Sequence, residues 1–309
     1  MTRKKVLITP RSFGMGSKAP LDLLLQNGCE IILNPFGRIL TKDEMISLIQ
    51  DVDGVIVGVD SMDEEVLRHA SKLKVISKYG VGTDNIDVSY ASERGIPVAV
   101  SAGANKEAVA DYAFALMLGA ARRITRIDRE CRSLNWTKIT TIDVWQKTLG
   151  LIGLGNIGKG VAQRASGFEM KVLAYDLVED REYAKNYGIQ YVPLETIYEK
   201  ADFISIHLPL NEQTRHMISY PQIQRMKNTA VIVNTARGGL IDEEALYDAL
   251  KEQKIWGAGI DVFEQEPPVN RKLLELDNLL IGSHSAASTF AAIDNMGLVA
   301  SANLIKHLE

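Results

Sequence analysis

Two groups of residues in this chain have types and spacings suited to chemistry. The first is Gly153-Leu154-Gly155-Asn156-Ile157-Gly158, which directly follows the apolar run Leu149 to Ile152 and leads into a helical stretch, Lys159 to Phe168. Between a strand and a helix, such glycines allow a tight turn and close approach of backbone to a pyrophosphate. The helix start adds free N–H groups and a positive dipole end. Eighteen residues beyond Gly158, at the end of the strand pattern Lys171 to Tyr175, stands Asp176. A dinucleotide fold places there the acid that bonds the adenosine ribose. The neighbours Leu177, Val178, Glu179 and Asp180 bring no cation for a 2′-phosphate, which favours NAD over NADP.

The second group could move a proton beside such a cofactor. Histidine is the usual base near neutral pH, and the chain has His69, His207, His216, His284 and His307. His69 lies in a charged helical pattern, His216 follows a polar loop and His307 is near the end, so all three read as surface. His207 and His284 follow the strand patterns Phe203 to Ile206 and Leu279 to Ile281, where open parallel sheets bind ligands. His207 is followed by Leu208-Pro209, an apolar wall suited to a flat base, and His284 by the small Ser285-Ala286-Ala287-Ser288. Two further strand ends carry Asn234-Thr235-Ala236-Arg237-Gly238-Gly239 and Asp261-Val262-Phe263-Glu264-Gln265-Glu266-Pro267-Pro268. A guanidinium at Arg237 suits a carboxylate, and Glu266 could orient an imidazole and raise its pKa.

The elements that must position these groups read as α/β throughout. Short apolar runs alternate with amphipathic segments, the pattern of strands joined by crossover helices. Strands are expected at 6–9, 30–33, 54–57, 74–77 and 97–100, then at 149–152, 171–175, 203–206, 230–234, 256–260 and 279–281. Thr41 and Glu44 have capping-box spacing. Lys106 to Arg129, with no proline and one glycine, reads as one long helix, and a last helix spans about 290–308. A length of 309 residues suits two domains. A net charge of −4 gives no cause to expect nucleic acid or membrane as partner. Two cysteines, Cys29 and Cys131, make neither a disulfide framework nor a metal cluster, so no metal is expected. No leader is read before the first strand, and the cytoplasm is the expected compartment.

At this point the residues resemble the D-isomer-specific 2-hydroxyacid dehydrogenases, especially their phosphoglycerate dehydrogenase branch. The likeness rests on Ser77-Lys78-Tyr79-Gly80-Val81-Gly82-Thr83-Asp84-Asn85-Ile86-Asp87, the glycine loop, His207-Leu208-Pro209-Leu210, the segments 234–239 and 261–268, and His284. It implies two Rossmann-like, doubly wound parallel-sheet domains with an active-site cleft between them. The substrate domain would be discontinuous, 1–103 plus 287–309, with an NAD-binding domain at 104–286. It implies a catalytic triad in which His284 moves the hydroxyl proton, Glu266 holds the ring and Arg237 binds the substrate carboxylate or carbonyl oxygen. NAD would meet Gly153, Gly155, Asn156, Ile157, Gly158 and Asp176, with His207, Pro209 and Thr214 towards the adenine. Thr235, Ala236, Arg237, Asp261 and His284 complete that set, with Asp261 on the nicotinamide carboxamide. Val81 and Gly82 would hold the carboxylate by backbone N–H groups, and a homodimer would form through the helix 106–129.

The chain departs from the family pattern at Ser283, where proline is common before the histidine, and at Gln146-Lys147, where Gly-Lys is common. Neither removes a group the mechanism requires. The branch often carries a C-terminal regulatory domain, for which no room is read after Glu309, so serine feedback is not expected. Arg11 and Ser12 after the first strand, with Lys78 and Arg38, could meet a distal anion. The expected substrate is therefore 3-phosphoglycerate/phosphohydroxypyruvate, a step of serine biosynthesis, with glyoxylate, hydroxypyruvate or a similar 2-keto acid as the alternative. Three other readings compete. A non-catalytic NAD-sensing corepressor lacks support because charge-rich extensions are absent. An L-specific dehydrogenase would carry its glycine loop near the N-terminus, and a formate dehydrogenase would have glutamine at Glu266.

Overall fold

A computed structural model describes residues 3–308. They divide into two compact units: residues up to Asn105 together with those from Ala287 onward, and Lys106–Ala286.

The first unit is built on a five-stranded parallel sheet. Its strands are β1 (Lys4–Ile8), β2 (Cys29–Leu33), β3 (Gly54–Val57), β4 (Val75–Lys78) and β5 (Val98–Val100), in the order β2-β1-β3-β4-β5. β3 and β4 are buried along their whole length, as expected of central strands covered on both faces. One face packs Met45, Ile49, Val66 and Leu67 against Leu7, Val55 and Ile76. The other packs Leu24, Ala300 and Leu304 against Val6, Ile8, Ile56 and Val75. The helix Phe290–Leu308 is thus part of this unit's core although it comes last in the chain. Ser77 Oγ donates to the Ala300 carbonyl at 2.8 Å, and Asn303 Nδ2 to the Val100 carbonyl at 3.1 Å. Thr41 caps the helix Lys42–Ile49 with Glu44 in reciprocal bonds, a full capping box.

The second unit carries a seven-stranded parallel sheet. Its strands are β6 (Thr148–Ile152), β7 (Lys171–Tyr175), β8 (Gln190–Tyr191), β9 (Phe203–Ile206), β10 (Val231–Asn234), β11 (Gly257–Ile260) and β12 (Leu279–Ile281), in the order β12-β11-β10-β9-β6-β7-β8. The chain runs outward from β6 to β8 and then returns to β9 on the other side. The crevice of an open α/β sheet therefore lies beyond the carboxyl ends of β6 and β9. β8, a two-residue edge strand paired to β7, is too short to leave a sequence pattern.

The expected single helix over 106–129 is two. Lys106–Ala121 is buried on most sides, and a second helix runs Ile124–Arg132. Between them Arg123 takes a left-handed conformation, φ 52°, which ends a helix built of L-residues. Tertiary contacts hold it there, since its Nη2 donates to the Trp256 carbonyl at 2.6 Å and its guanidinium lies 4.5 Å from the Trp256 ring. No helix among the described residues is long and apolar enough to cross a membrane.

Candidate active site

Strand register assembles the candidate site in the second unit. Ile152 pairs with Tyr175 and Ile206, Asn234 with Ile206 and Ile260, and Ile260 with Ile281. The next residue on each strand therefore stands in one row: Gly153, Asp176, His207, Thr235, Asp261 and Gly282. Nearly every second-unit residue singled out in the sequence lies in this row or within a few residues of it.

The glycine loop fits a dinucleotide. Gly153 has φ +99°, and a Cβ there would come 2.6 Å from the His207 carbonyl oxygen. A Cβ on Gly158 would stand 2.2 Å from the Gly153 carbonyl oxygen, so helix and strand close up only without side chains. Gly155 is the N-cap of the helix Asn156–Ser166 and no side chain caps it, which leaves the helix's first N–H groups for an anion. A Cβ on Gly155 would meet nothing within 4 Å. Asp176 braces this loop, accepting from the Leu154 N–H at 2.7 Å and the Val178 N–H at 3.1 Å. A cation does stand close by, supplied by the helix and not by the segment 177–180. Lys159 Nζ is paired to Asp180 at 2.6 Å.

His207 is partly buried, and the loss of water around its ring pushes its pKa down to about 4, which holds the ring neutral. Its Nε2 meets Ser205 Oγ at 2.9 Å, while Nδ1 is buried without a partner among the described residues. Thr235 Oγ1 is likewise buried and unpartnered. Two buried polar atoms lacking partners at the mouth of one crevice are what a bound polar ligand would satisfy. Thr214 closes the loop after Pro209, its Oγ1 donating to the Pro209 carbonyl at 2.8 Å.

His284, Glu266 and Arg237 come together on three strand-end loops. His284 Nδ1 lies 2.9 Å from Glu266 Oε2, and Glu266 Oε1 accepts the Phe263 N–H at 3.1 Å. Burial pushes the Glu266 carboxyl up. The hydrogen bond and charge of His284 outweigh this, helped by the Phe263 amide and the charge of Arg237, so the acid sits below its ordinary range. An ionised carboxylate only accepts, so Nδ1 carries the proton and the neutral ring presents the Nε2 lone pair. About half of the imidazole is exposed. Arg237 Nη1 donates to the Ala236 carbonyl at 2.6 Å, and its turn is tied by Asn234, which accepts from Ala236 N–H and donates to the Arg237 carbonyl.

The backbone of His284 is itself special, with φ 57°, uncommon for a residue with a side chain. Asp261 holds it there. Its carbonyl accepts the His284 N–H at 2.8 Å, and its two carboxylate oxygens accept the Ser285 and Ala286 N–H groups at 2.9 Å each. Burial raises the Asp261 carboxyl above its ordinary value. Ser283 and Ser285 straddle the histidine, with their hydroxyls 2.8 Å apart. Sequence reasoning noted Ser283 but not this bridge. It also missed Tyr112, whose hydroxyl reaches the same turn and would stand 2.8 Å from a Cβ on Gly282. A tyrosine inside a helical run carries no sequence signal of that kind.

In the first unit, Arg11 and Ser12 follow β1, and Lys78 to Gly82 end and follow β4. Arg11 is exposed, and Ser12 Oγ lies 3.4 Å from Tyr79 Oη. Val81 and Gly82 present N–H groups that have no hydrogen-bond acceptor among the described residues. Two of the cations expected to face a distal anion are occupied by protein groups. Arg38 grips Glu44 with both guanidinium nitrogens at 2.6 and 2.8 Å. Lys78 is buried, its Nζ on the Gly58 carbonyl at 2.5 Å and on Asn85 Oδ1 at 2.6 Å. No group of acids, histidines and cysteines among the described residues could hold a metal ion.

Residues 114–286 match the family model described as "D-isomer specific 2-hydroxyacid dehydrogenase, NAD binding domain". The chain is 44% identical over 295 residues to a glyoxylate reductase of Korarchaeum cryptofilum, covering 91% of this chain and 89% of that one. It is 43% identical to a D-3-phosphoglycerate dehydrogenase of Methanocaldococcus jannaschii, covering 87% of this chain but 52% of that longer protein. Among solved structures it resembles a D-lactate dehydrogenase of Aquifex aeolicus complexed with NAD and lactic acid. The two are 30% identical, with a TM-score of 0.83 over 97% of this chain and 93% of that one. With a nucleotide loop, a histidine–carboxylate dyad and an arginine set by one strand register, the chain belongs to the D-isomer-specific 2-hydroxyacid dehydrogenases, and residues 114–286 are its NAD-binding domain.

Proposed function

We propose that this protein reduces a short 2-keto acid, glyoxylate or hydroxypyruvate, to the corresponding D-2-hydroxy acid with NADH, and runs the reverse oxidation. The observation that carries the reading is the 2.9 Å contact of His284 Nδ1 with an ionised Glu266 beside Arg237. When bound, the reduced nicotinamide supplies a hydride to the carbonyl carbon. His284, protonated at Nε2, gives its proton to the carbonyl oxygen as negative charge develops there, and takes it back in the oxidation. Glu266 stabilises the imidazolium and fixes the ring. Arg237 holds the substrate carboxylate or carbonyl oxygen through its guanidinium. The pyrophosphate would lie on the N–H groups of Asn156, Ile157 and Gly158, the ribose on Asp176, and the adenine against His207 and Pro209, near Thr214. Thr235, Ala236 and Asp261 would line the nicotinamide end. The first unit would be the substrate domain, with the N–H groups of Val81 and Gly82 on the carboxylate.

A small acid is favoured over a phosphorylated one by the state of the cations. A distal phosphate wants two or more such groups. Arg38 and Lys78 are engaged by Glu44, Gly58 and Asn85, which leaves Arg11 of the set. The second reading, phosphohydroxypyruvate, rests on the M. jannaschii relative. Initial rates of NADH oxidation with each keto acid decide between them. We expect kcat/KM for glyoxylate or hydroxypyruvate to exceed that for phosphohydroxypyruvate by on the order of tenfold or more, one lost ion pair's worth of binding. The opposite order would restore the phosphorylated substrate, and NADH binding without turnover of any acid would support a sensor.

The protein is further proposed to act as a homodimer through the segment beginning at Lys106. The helix Ile124–Arg132 buries none of its residues, and Leu134 and Trp136 after it are 84% and 77% exposed. Unpaired Cys29 and Cys131 support a reducing compartment, the cytoplasm.

A further inference from the structure

The loops that carry Arg237 and Glu266 are joined by a residue that lies outside both. His216 reaches the first through its backbone and the second through its side chain. Its N–H donates to the Gly239 carbonyl at 2.7 Å, two residues beyond Arg237. Its Nε2 meets Glu264 Oε1 at 2.8 Å, two residues before Glu266. A left-handed backbone, φ 51°, turns the ring towards that loop. The same loop is held from a second side by Glu243, at the start of the helix Glu243–Lys251, whose Oε1 accepts the Glu264 N–H at 2.7 Å. The two loops also touch directly, since a Cβ on Gly238 would fall 1.9 Å from the Phe263 carbonyl oxygen. Charged groups facing His216 are therefore Glu264 and Glu243, with the Arg215 guanidinium beside Gly239.

From this geometry we infer that His216 is a positioning residue for the reaction: with Glu264 and Glu243 it sets the loop from which Glu266 orients His284, and it registers that loop against the turn that carries Arg237. The inference rests on the catalytic reading above. The pair is about 40% exposed on the histidine and 36% on the acid, and a pair so exposed adds little to global stability. Its loss should therefore be felt in the placement of Glu266 and hardly in folding. A carboxylate displaced by a fraction of an ångström stabilises the imidazolium less, which slows proton transfer at His284.

The test compares H216A, H216Q, E264Q and the double variant H216A/E266Q with the wild type, with H284A and E266Q as controls. H216A is expected to lower kcat by roughly 10- to 100-fold, the scale of loss for a misplaced catalytic group, with NADH affinity by fluorescence and the melting temperature nearly unchanged. The falling limb of the reduction pH profile should move to lower pH. H216Q, which keeps a donor to Glu264, should recover most of the rate. On the E266Q background H216A should cost little more, because its effect passes through Glu266. Wild-type kcat and pH profile in H216A and E264Q, with H284A inactive and E266Q slowed by roughly 10²-fold or more, would overturn the inference and leave the catalytic reading standing. Independent, multiplying losses in the double variant would overturn it equally. Full activity in H284A would overturn both.

Discussion

At the scale of single residues, the proposed chemistry depends on which nitrogen of one imidazole carries a proton. Glu266 is held below the ordinary carboxylate range mainly because the bond to His284 overcomes the effect of burial. It therefore stays charged across the neutral range. In the proposed reaction, reduction starts with a proton on His284 Nε2, so its rate should fall as pH rises, while oxidation should rise. Replacing Glu266 by Gln removes the charge that favours the imidazolium. The falling limb of the reduction profile should then move to lower pH, and kcat should drop by roughly 10²-fold or more, the scale on which a mis-set general acid costs an enzyme. Stopped-flow or steady-state rates from pH 5 to 9 would show this. A profile that moved to higher pH would mean that Glu266 does not stabilise the charged ring. His207 shows why residue type alone is insufficient: it too follows a strand, yet burial to a pKa of about 4 removes it as a proton carrier near neutrality.

At the scale of elements, the alignment of strand ends matters more than any one of them. The row Gly153, Asp176, His207, Thr235, Asp261 and Gly282 follows from six in-register parallel strands. The glycine loop tolerates no side chain at Gly158, where a Cβ would stand 2.2 Å from a backbone oxygen that cannot swing away. Gly158→Ala should therefore push the helix Asn156–Ser166 off β6, costing on the order of 1–3 kcal/mol as overpacking does. Equilibrium denaturation would measure that cost, and NADH titration should show affinity falling with it. Unchanged NADH binding in a stable variant would mean that the loop has room that the backbone contacts deny. Strands of four or five apolar residues were legible in the sequence because both sheet faces are buried and the runs are nearly continuous. The two-residue β8 was not, and neither was the break at Arg123, which propensity does not encode and which a cation–ring contact with Trp256, 133 residues further on, maintains.

At the scale of the whole molecule, the chain builds two cores, each complete within its own unit. Among the apolar side chains left outside both are Ile124, Leu134 and Trp136, which lie more than half exposed on the stretch after Arg123. Apolar side chains so exposed on one segment usually mark an interface. Wild-type protein should sediment as a dimer, and Trp136→Ser combined with Leu134→Ser should shift the equilibrium towards monomer at micromolar concentration. Sedimentation of the wild type as a monomer at all concentrations would remove the dimer from the account.

Local chemistry made much of this protein legible from its sequence alone. A glycine loop between an apolar run and a helix, an acid at the next strand end, and a capping box at Thr41 are interactions between near neighbours, so their residues announce them. The order of motifs along the chain likewise carried the likeness to the family. Tertiary structure alone decided which distant groups meet. It set the 2.9 Å distance of the His284–Glu266 contact that the likeness to the family had implied, turned the histidine by way of Asp261, withdrew Lys78 into a buried contact with Asn85 and Gly58, and gave His216, which reads as a surface residue, a place between two loops. The physical reason is common to all four. Hydrogen-bond partners are selected by where strand register and loop closure bring backbone and side chains, and a list of residue types does not contain those distances.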